Sequence, residues 1–340
     1  MKTGHKTGKT FRFSSLPSST YIFVILFVFF SATVKNFLTP ANISTILVQS
    51  AVLVLISIGA AFPIMTGGID LSAGGVISLS GIMMAVLLNR GLPDYVALPV
   101  GLLFGALYGA LNGVLIFRVK IPPFIATFGS MGIAESLATF LSDSRTVYWK
   151  ENTHVGVMNI IKTNLLTVWF GNKNSSVLTV SCIILFVMIV TAVTILLFKK
   201  TSLGANIYAI GHNMESARLS GINVMKFSVG AYAISGLMAA MAGMLLIIRT
   251  NSATPTMGSG MEFQAIVAAT IGGNVAEGGK GSLMGAVLGA FAIYSIRNAV
   301  NYVGLNSFTS MIITGITLLV GMVINELIAM QDIKKGGRTA

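Results

Sequence analysis

The stretch TGGIDLSAGG, residues 66–75, sets a carboxylate between two glycine pairs and between two long apolar runs. Thr66, Asp70 and Ser72 there belong to a small set of polar residues in otherwise apolar surroundings. The others are Asn112, Glu135 and the group Ser259, Glu262 and Gln264, within TNSATPTMGSGMEFQAIVAATIGGNVAEGGKGS at 250–282. In an apolar setting a carboxylate can hold a proton, accept backbone amide protons at the start of a helix, or line a route for a polar solute. At the centre of a membrane helix it costs roughly 2.5–3.5 kcal/mol on insertion scales, so Glu135 has to face protein or water and not lipid.

Other chemistry is hard to assemble. His5, His154 and His212 fall in three different loops, and no metal site is expected of them. The single cysteine, Cys182, lies in an apolar run, which excludes a disulfide framework within one chain. Two segments imitate the phosphate-binding pattern GxxxxGK[ST]. GKT at 8–10 has Thr3 in place of the first glycine; NVAEGGKG at 274–281 has Asn274 there and Gly281 in place of the hydroxyl residue. That loop needs amides around the phosphates and a hydroxyl on magnesium, and neither segment supplies both. No H-E-x-x-H pair or G-x-S-x-G elbow is present. No catalytic residue and no cofactor of its own are expected.

The elements that must position the polar residues follow from composition. Of 340 residues 54% are hydrophobic and only 9% charged, with a mean hydropathy of +0.84. Soluble domains carry about 25% charged residues. The class is an all-α, polytopic membrane protein. Crossing helices need about 20 apolar residues. Candidate runs fall at 19–36, 46–65, 71–89, 95–117, 122–142, 177–198, 227–248, 263–273, 282–300 and 309–328, about ten in all. The first follows a basic leader but is read as an uncleaved helix, because another span succeeds it at once. The eighth is too short to cross unaided. The domain plan is a basic tail 1–18, a transmembrane domain 19–328 that contains the loop 199–226, and a tail 329–340.

Ten crossings put both termini on one side. With the tail 1–18 in the cytoplasm, loops 118–121, 199–226, 274–281 and the tail 329–340 join it there. Those segments hold 14 of the 22 Lys and Arg; the opposite face holds 8, four of them in the long loop 143–176. Long loops count weakly in the charge rule, so the orientation is N-in, C-in. The net charge of +12 then orients the protein rather than binding nucleic acid. GALYG at 105–109 and GAVLG at 285–289 sit in the fourth and ninth runs, which cross in opposite directions. An inverted repeat would look like this, and so would simple close packing of small residues.

Backbone that leaves helical geometry inside a bilayer is buried in protein or faces a water-filled cavity. TGGIDLSAGG and 250–262 both have that character. Asp70 can cap the helix that follows, and Glu262 near a helix start suits the positive dipole end. Capping and lining a path are compatible, since discontinuous helices commonly build mid-membrane sites.

TGGIDLSAGG, IPPFIATFGSMGIAESLA, TSLGANIYAIGHNMESARLSGINV and TPTMGSGMEFQAIVAATIGG with GGKGS, in this order and spacing, closely resemble the permease subunits of ribose-type bacterial ABC importers. The resemblance covers nearly the whole chain. It implies a pair of permeases in the inner membrane, identical or different, two separate ATPase subunits carrying ATP and Mg, and an external sugar-binding protein. It would explain the missing phosphate loop. The substrate path is then expected near Thr66, Asp70, Ser72, Asn112, Glu135, Ser259, Glu262 and Gln264. The family's ATPase-coupling segment falls on the cytoplasmic loop 199–226, at Gly211–Gly221. NMESARL there reads as a short helix: Asn213 caps it, Glu215 and Arg218 suit its two dipole ends, and Met214 and Leu219 offer an apolar contact. Gly221 closes the segment. Two positions depart from the family: Glu135, where relatives usually carry arginine, and Phe263-Gln264, where they often carry Leu-Asp. The rival reading is a self-sufficient secondary transporter with Asp70 or Glu135 as its proton site. A membrane-embedded enzyme is disfavoured by the scattered His and carboxylates.

Overall fold

The computed structural model describes residues 18–149, 153, 155–169 and 177–303, with isolated helical positions between 309 and 323. The leader up to residue 17, most of the tenth apolar run, the tail 329–340 and His154 lie outside the described residues. The elements are α1 (Ser18–Thr33), α2 (Pro40–Met65), α3 (Ala73–Asn89), α4 (Asp94–Phe117), α5 (Pro123–Leu141) and α6 (Gly156–Lys162). A hairpin follows, β1 (Asn164–Trp169) and β2 (Val177–Ser181), then α7 (Cys182–Lys200), α8 (Ser202–His212), α9 (Met214–Leu219), α10 (Val224–Thr250), α11 (Met261–Ile271) and α12 (Leu283–Tyr302).

Among the described residues, α2, α4, α5, α7, α10 and α12 are long and apolar enough to cross a bilayer, and shorter apolar helices lie in α1, α3 and α11. The chain is a multi-pass membrane protein. Two expectations need correction. The chain is not wholly helical, since β1 and β2 pair antiparallel, with Leu166 opposite Val180 and Val168 opposite Leu178. The sixth apolar run therefore crosses only from Cys182. Three of its first five residues, Val177, Thr179 and Val180, are β-branched, which fits a strand. Ser181 then starts the helix, its hydroxyl accepting the amide proton of Ile183 at 3.3 Å.

Burial sorts the helices into a centre and a rim. In its most apolar window α2 is 78% buried and α10 72%, whereas α5 and α7 are 28% buried. At the centre α10 runs antiparallel to α4 at backbone contact: a Cβ on Gly109 would strike the carbonyl oxygen of Tyr232, and one on Gly105 would strike Ala240 and Gly236. Small residues permit this approach. A second backbone-close contact joins α12 to α11. Gly285 and Gly289 of α12 lie against Gly272 and Ala268 of α11, again antiparallel. α12 also runs antiparallel to α2, closed at one end by a reciprocal amide pair, Asn42 with Asn298, at 2.9 and 3.0 Å.

α2 ends because Gly67 adopts φ +81°, which an L side chain resists. The amide of Gly67 bonds Ile64 O at 2.9 Å and that of Gly68 bonds Pro63 O at 3.0 Å, the two bonds of a Schellman stop. The TGG of the sequence is thus a helix terminator. At the opposite end, α6 and the segment before it close over α3, α4 and α10. Asp94 Oδ2 accepts the amide of Met158 at 2.8 Å, Val147 pairs with Ala253, and the Thr153 hydroxyl donates to Leu88 O at 3.2 Å.

Candidate functional site

Asp70 is 2% exposed in the non-helical link between α2 and α3. Its Oδ1 accepts both the amide of Ser72 at 2.9 Å and the Ser72 hydroxyl at 2.6 Å; its Oδ2 accepts the Ser235 hydroxyl at 2.7 Å. Asn112 Nδ2 donates to Ser72 Oγ at 2.8 Å, and the Thr127 hydroxyl reaches Ile69 O at 3.2 Å. So α4, α5 and α10 all hold the link. The expected cap is shifted: Ser72 is the residue flanking α3 and makes no side-chain cap, while Asp70 binds the amide of Ser72 itself. Ser72 is already in the αR conformation, φ −70° and ψ −14°, and its hydroxyl is spent on the Asp70 carboxylate and so caps no amide of α3.

A second non-helical segment leads from Asn251 to Gly260, where α11 begins. Glu262, in the first turn of α11 and 3% exposed, accepts the Gly260 amide on Oε1 at 3.2 Å. Its Oε2 faces Gly74: a Cβ on Gly74 would collide with it, and one on Gly258 would collide with Gly74 O. The Gly258 amide also bonds Ser78 Oγ at 3.0 Å. The starts of α3 and α11 therefore meet inside the protein, each with a carboxylate against it. Anionic groups are favoured at such positive helix ends.

Of the residues assigned to a path from sequence, Thr66, Asp70, Ser72, Asn112 and Glu262 are buried and bonded among themselves or to nearby backbone. Ser259 is exposed, and Glu135 and Gln264 are half-buried. Glu135 opens into a shallow groove of about 750 Å³ along α5, with Gly132, Ser136, Thr139 and Asp143. It is near enough to Glu262 for their charges to interact. Sequence reading missed Ser235, Thr127 and Ser78. Each is a lone hydroxyl in a helical run, a pattern that usually bonds only its own helix, so only the fold reveals its partner across the interface.

Around 199–226, α8 is followed directly by α9. Asn213 Oδ1 accepts the Ser216 amide at 2.8 Å, and Arg218 and Glu215 pair loosely at 3.7 Å. Met214 is 44% exposed and Leu219 80%. The helix stops at Gly221, whose amide bonds Arg218 O while Ile222 bonds Ala217 O. The Asn213 cap and the first-turn Glu215 and last-turn Arg218 read from NMESARL are present, and Met214 and Leu219 stand exposed on its surface.

Comparison with known proteins adds the context. A family model described as the branched-chain amino acid transport system / permease component matches residues 42–322. The chain is 33% identical over 310 residues to the ribose import permease protein RbsC of Haemophilus influenzae, covering 91% of this chain and 93% of that one. It is 35% identical over 302 residues to the Bacillus subtilis ribose import permease, at 89% and 90% coverage. It is 33% identical over 307 residues to the D-allose transport system permease protein AlsC of Escherichia coli, at 90% of each. No solved structure matches the chain.

Proposed function

The chain belongs to the ribose-type sugar permeases within that transport-permease family, and from this premise we propose that it is the membrane-spanning subunit of an ATP-driven importer for a monosaccharide, ribose or a related aldose or polyol. The observation that carries the reading is α9: a capped, six-residue helix with Leu219 80% exposed, as a helix meant to seat in a groove on another subunit would be. ATP and magnesium reside on that subunit. Solute arrives from an external binding protein, both termini face the cytoplasm, and the membrane is the bacterial inner membrane.

A second permease, identical or different, completes the path. The lightly buried face of α5 with its open groove, and the exposed Ser259 and Phe263 at the start of α11, support that arrangement. Neutral sugars need weak contacts on such a route, because a deep well would trap them; specificity then rests mainly with the binding protein. The matching packing of α4 on α10 and α12 on α2, with α3 and α11 starting inside the protein, supports an inverted repeat, the design by which one bundle rocks against another. Transport is then differential stabilisation of outward and inward arrangements by the ATPase.

The test is uptake of labelled D-ribose and D-allose by cells lacking their own pentose and hexose importers. Uptake should require this chain, an ATPase subunit and a binding protein together. Uptake that persists without the ATPase would favour a self-sufficient carrier, a reading the import-permease relatives do not favour.

A further inference from the structure

The loop NVAEGGKGS, residues 274–282, fails as a phosphate loop, yet its glycines are placed with as little freedom as if they served one. Gly278 and Gly279 both take positive φ, +88° and +74°. A Cβ on Gly278 would lie 2.7 Å from the amide nitrogen of Gly67 and 2.9 Å from the carbonyl oxygen of Gly211; one on Gly279 would lie 2.9 Å from His212 Cα. A Cβ on Gly211 would strike the carbonyl of Met65 and the amide of Gly279. The Gly279 amide donates to Met65 O at 3.0 Å. Three chain segments thus touch backbone to backbone: the stop of α2, the last turn of α8 and the loop from α11 to α12.

We propose that this contact, Gly211 on Met65 and Gly67 with Gly278 and Gly279 between, is the link through which α9 moves the buried Asp70 link and α11 together. The proposal rests on α9 being the ATPase-coupling helix. Its geometry makes the link stiff. α8 ends at His212, and Asn213 both follows it and caps α9, so no free linker lies between the two helices. Side chains can absorb a small displacement by changing rotamer, but backbone in contact with backbone cannot. On the α8 side, the Tyr208 hydroxyl donates to Gly281 O at 2.7 Å, and its ring stands edge-on to Phe198, which stands edge-on to Phe62 of α2.

Beyond the contact both outputs are equally taut. Gly67 is three residues from Asp70, whose carboxylate is pinned to α10 by Ser235. On the other branch, Asn274 ties the loop to both flanking helices. Its Nδ2 donates to Ala269 O at 2.7 Å, and its Oδ1 accepts the Ser282 amide at 3.0 Å. A displacement of α8 therefore reaches the starts of α3 and α11 through chain that has no slack. The apolar glycine pattern that mimics a nucleotide loop is explained by the need for three backbones to meet.

The experiment uses the assembled importer with its ATPase, in a Cys182→Ser background carrying Gln264→Cys as the reporter. Thiol reactivity is compared without nucleotide and with ATP held on the ATPase by vanadate. Gly211→Ala should abolish the nucleotide-dependent change in reactivity, with ATPase copurification measured alongside to show that the complex still assembles. Tyr208→Phe, which removes one hydrogen bond without adding bulk, should shrink that change by up to about fivefold. Gly230→Ala, where a Cβ meets nothing within 4 Å, should match the parent. If Gly211→Ala does not yield folded protein, Tyr208→Phe decides. A parent-sized change in the decisive variant overturns the link, and so does a loss that only tracks falling protein yield. If the parent complex itself retains no ATPase, the coupling role of α9 is what has failed.

Discussion

Ser235, midway along α10, donates its hydroxyl to Asp70 Oδ2 at 2.7 Å, across 165 residues of chain. With Ser72 supplying two donors to Oδ1, the carboxylate receives three hydrogen bonds and meets no cation in doing so. This makes Asp70 a bracket between the α2–α3 link and α10. Asp70→Asn keeps an acceptor for Ser72, and its amide can donate to Ser235 once that hydroxyl turns. Asp70→Ala leaves all three donors unpaired in a buried site, at about 1–3 kcal/mol each. Thermal unfolding in detergent should show a small shift for Asn and a large one for Ala. Equal, complete loss of transport in both variants with unchanged unfolding would return Asp70 to a proton-carrying role.

The exposed face of α9 gives a cleaner separation of folding from function. Arg218 and Leu219 make little contact with the rest of the chain, with an Arg218 side chain 71% and Leu219 80% exposed. Replacing both with aspartate should leave expression and unfolding temperature near the parent, since exposed substitutions shift stability by about 0.5 kcal/mol or less. Copurification of the ATPase should fall sharply, measured as its ratio to permease after affinity capture. An unchanged ratio together with unchanged uptake would remove α9 as the contact.

How far the sequence could be read depended on whether a feature was local. The stop at Gly67, the cap at Asn213 and the short α11 all follow from neighbours within a few residues, and each was legible. The β1–β2 hairpin was hidden because VLTVS is as apolar as the helix it precedes, so a hydropathy run cannot separate them. Ser235, Thr127 and Ser78 were invisible for a different reason: each bonds a segment far away in sequence, and a hydroxyl in a helix carries no mark of where its partner lies. The loop at 274–281 departs from the phosphate-binding pattern in its sequence, but its place as a meeting point of three backbones could be seen only in the fold.

Accessibility to a small water-soluble thiol reagent should grade the proposed path. In a Cys182→Ser background, cysteine at Ser259 or Gln264 should react, since the first is exposed and the second half-buried. Cysteine at Ser72, which is 0% exposed, should react slowly or not at all in the arrangement described. A rise at Ser72 on trapping nucleotide on the ATPase would mark opening of the link between α2 and α3. Val24, 50% exposed on an apolar helix, should stay inert because it faces lipid. Should Gln264 prove as inert as Val24, the start of α11 is packing and the path runs elsewhere.

The α4–α10 contact should tolerate nothing larger than glycine at its tightest point. Valine at Gly109 would drive a branched side chain into the Tyr232 carbonyl, and overpacking of this kind costs about 1–3 kcal/mol or more. Gly109→Val should lower the unfolding temperature and the folded yield. Gly129→Ala on α5 meets nothing within 4 Å and should be neutral or stabilising, because alanine favours helix by about 1 kcal/mol over glycine. Similar losses in both variants would mean that glycine content, not close approach, governs this fold.

Asp94 tests the cover formed by α6 independently of transport. It is 1% exposed at the start of α4, and its Oδ2 accepts the Met158 amide at 2.8 Å, holding α6 over the adjoining ends of α3, α4 and α10. α6 has only seven residues, too few to persist without tertiary support. Removing the acceptor should therefore release the cover before it harms the bundle. In Asp94→Ala, amide hydrogen exchange should accelerate across 156–163 while α2 and α10 keep their protection; Asp94→Asn, which retains an acceptor oxygen, should lie between Ala and the parent. If the binding protein docks on this cover, its stimulation of the ATPase should weaken in Asp94→Ala while basal turnover is unchanged. Exchange that accelerates equally in α10 would show instead that Asp94 holds that whole end of the bundle, with α6 merely following it.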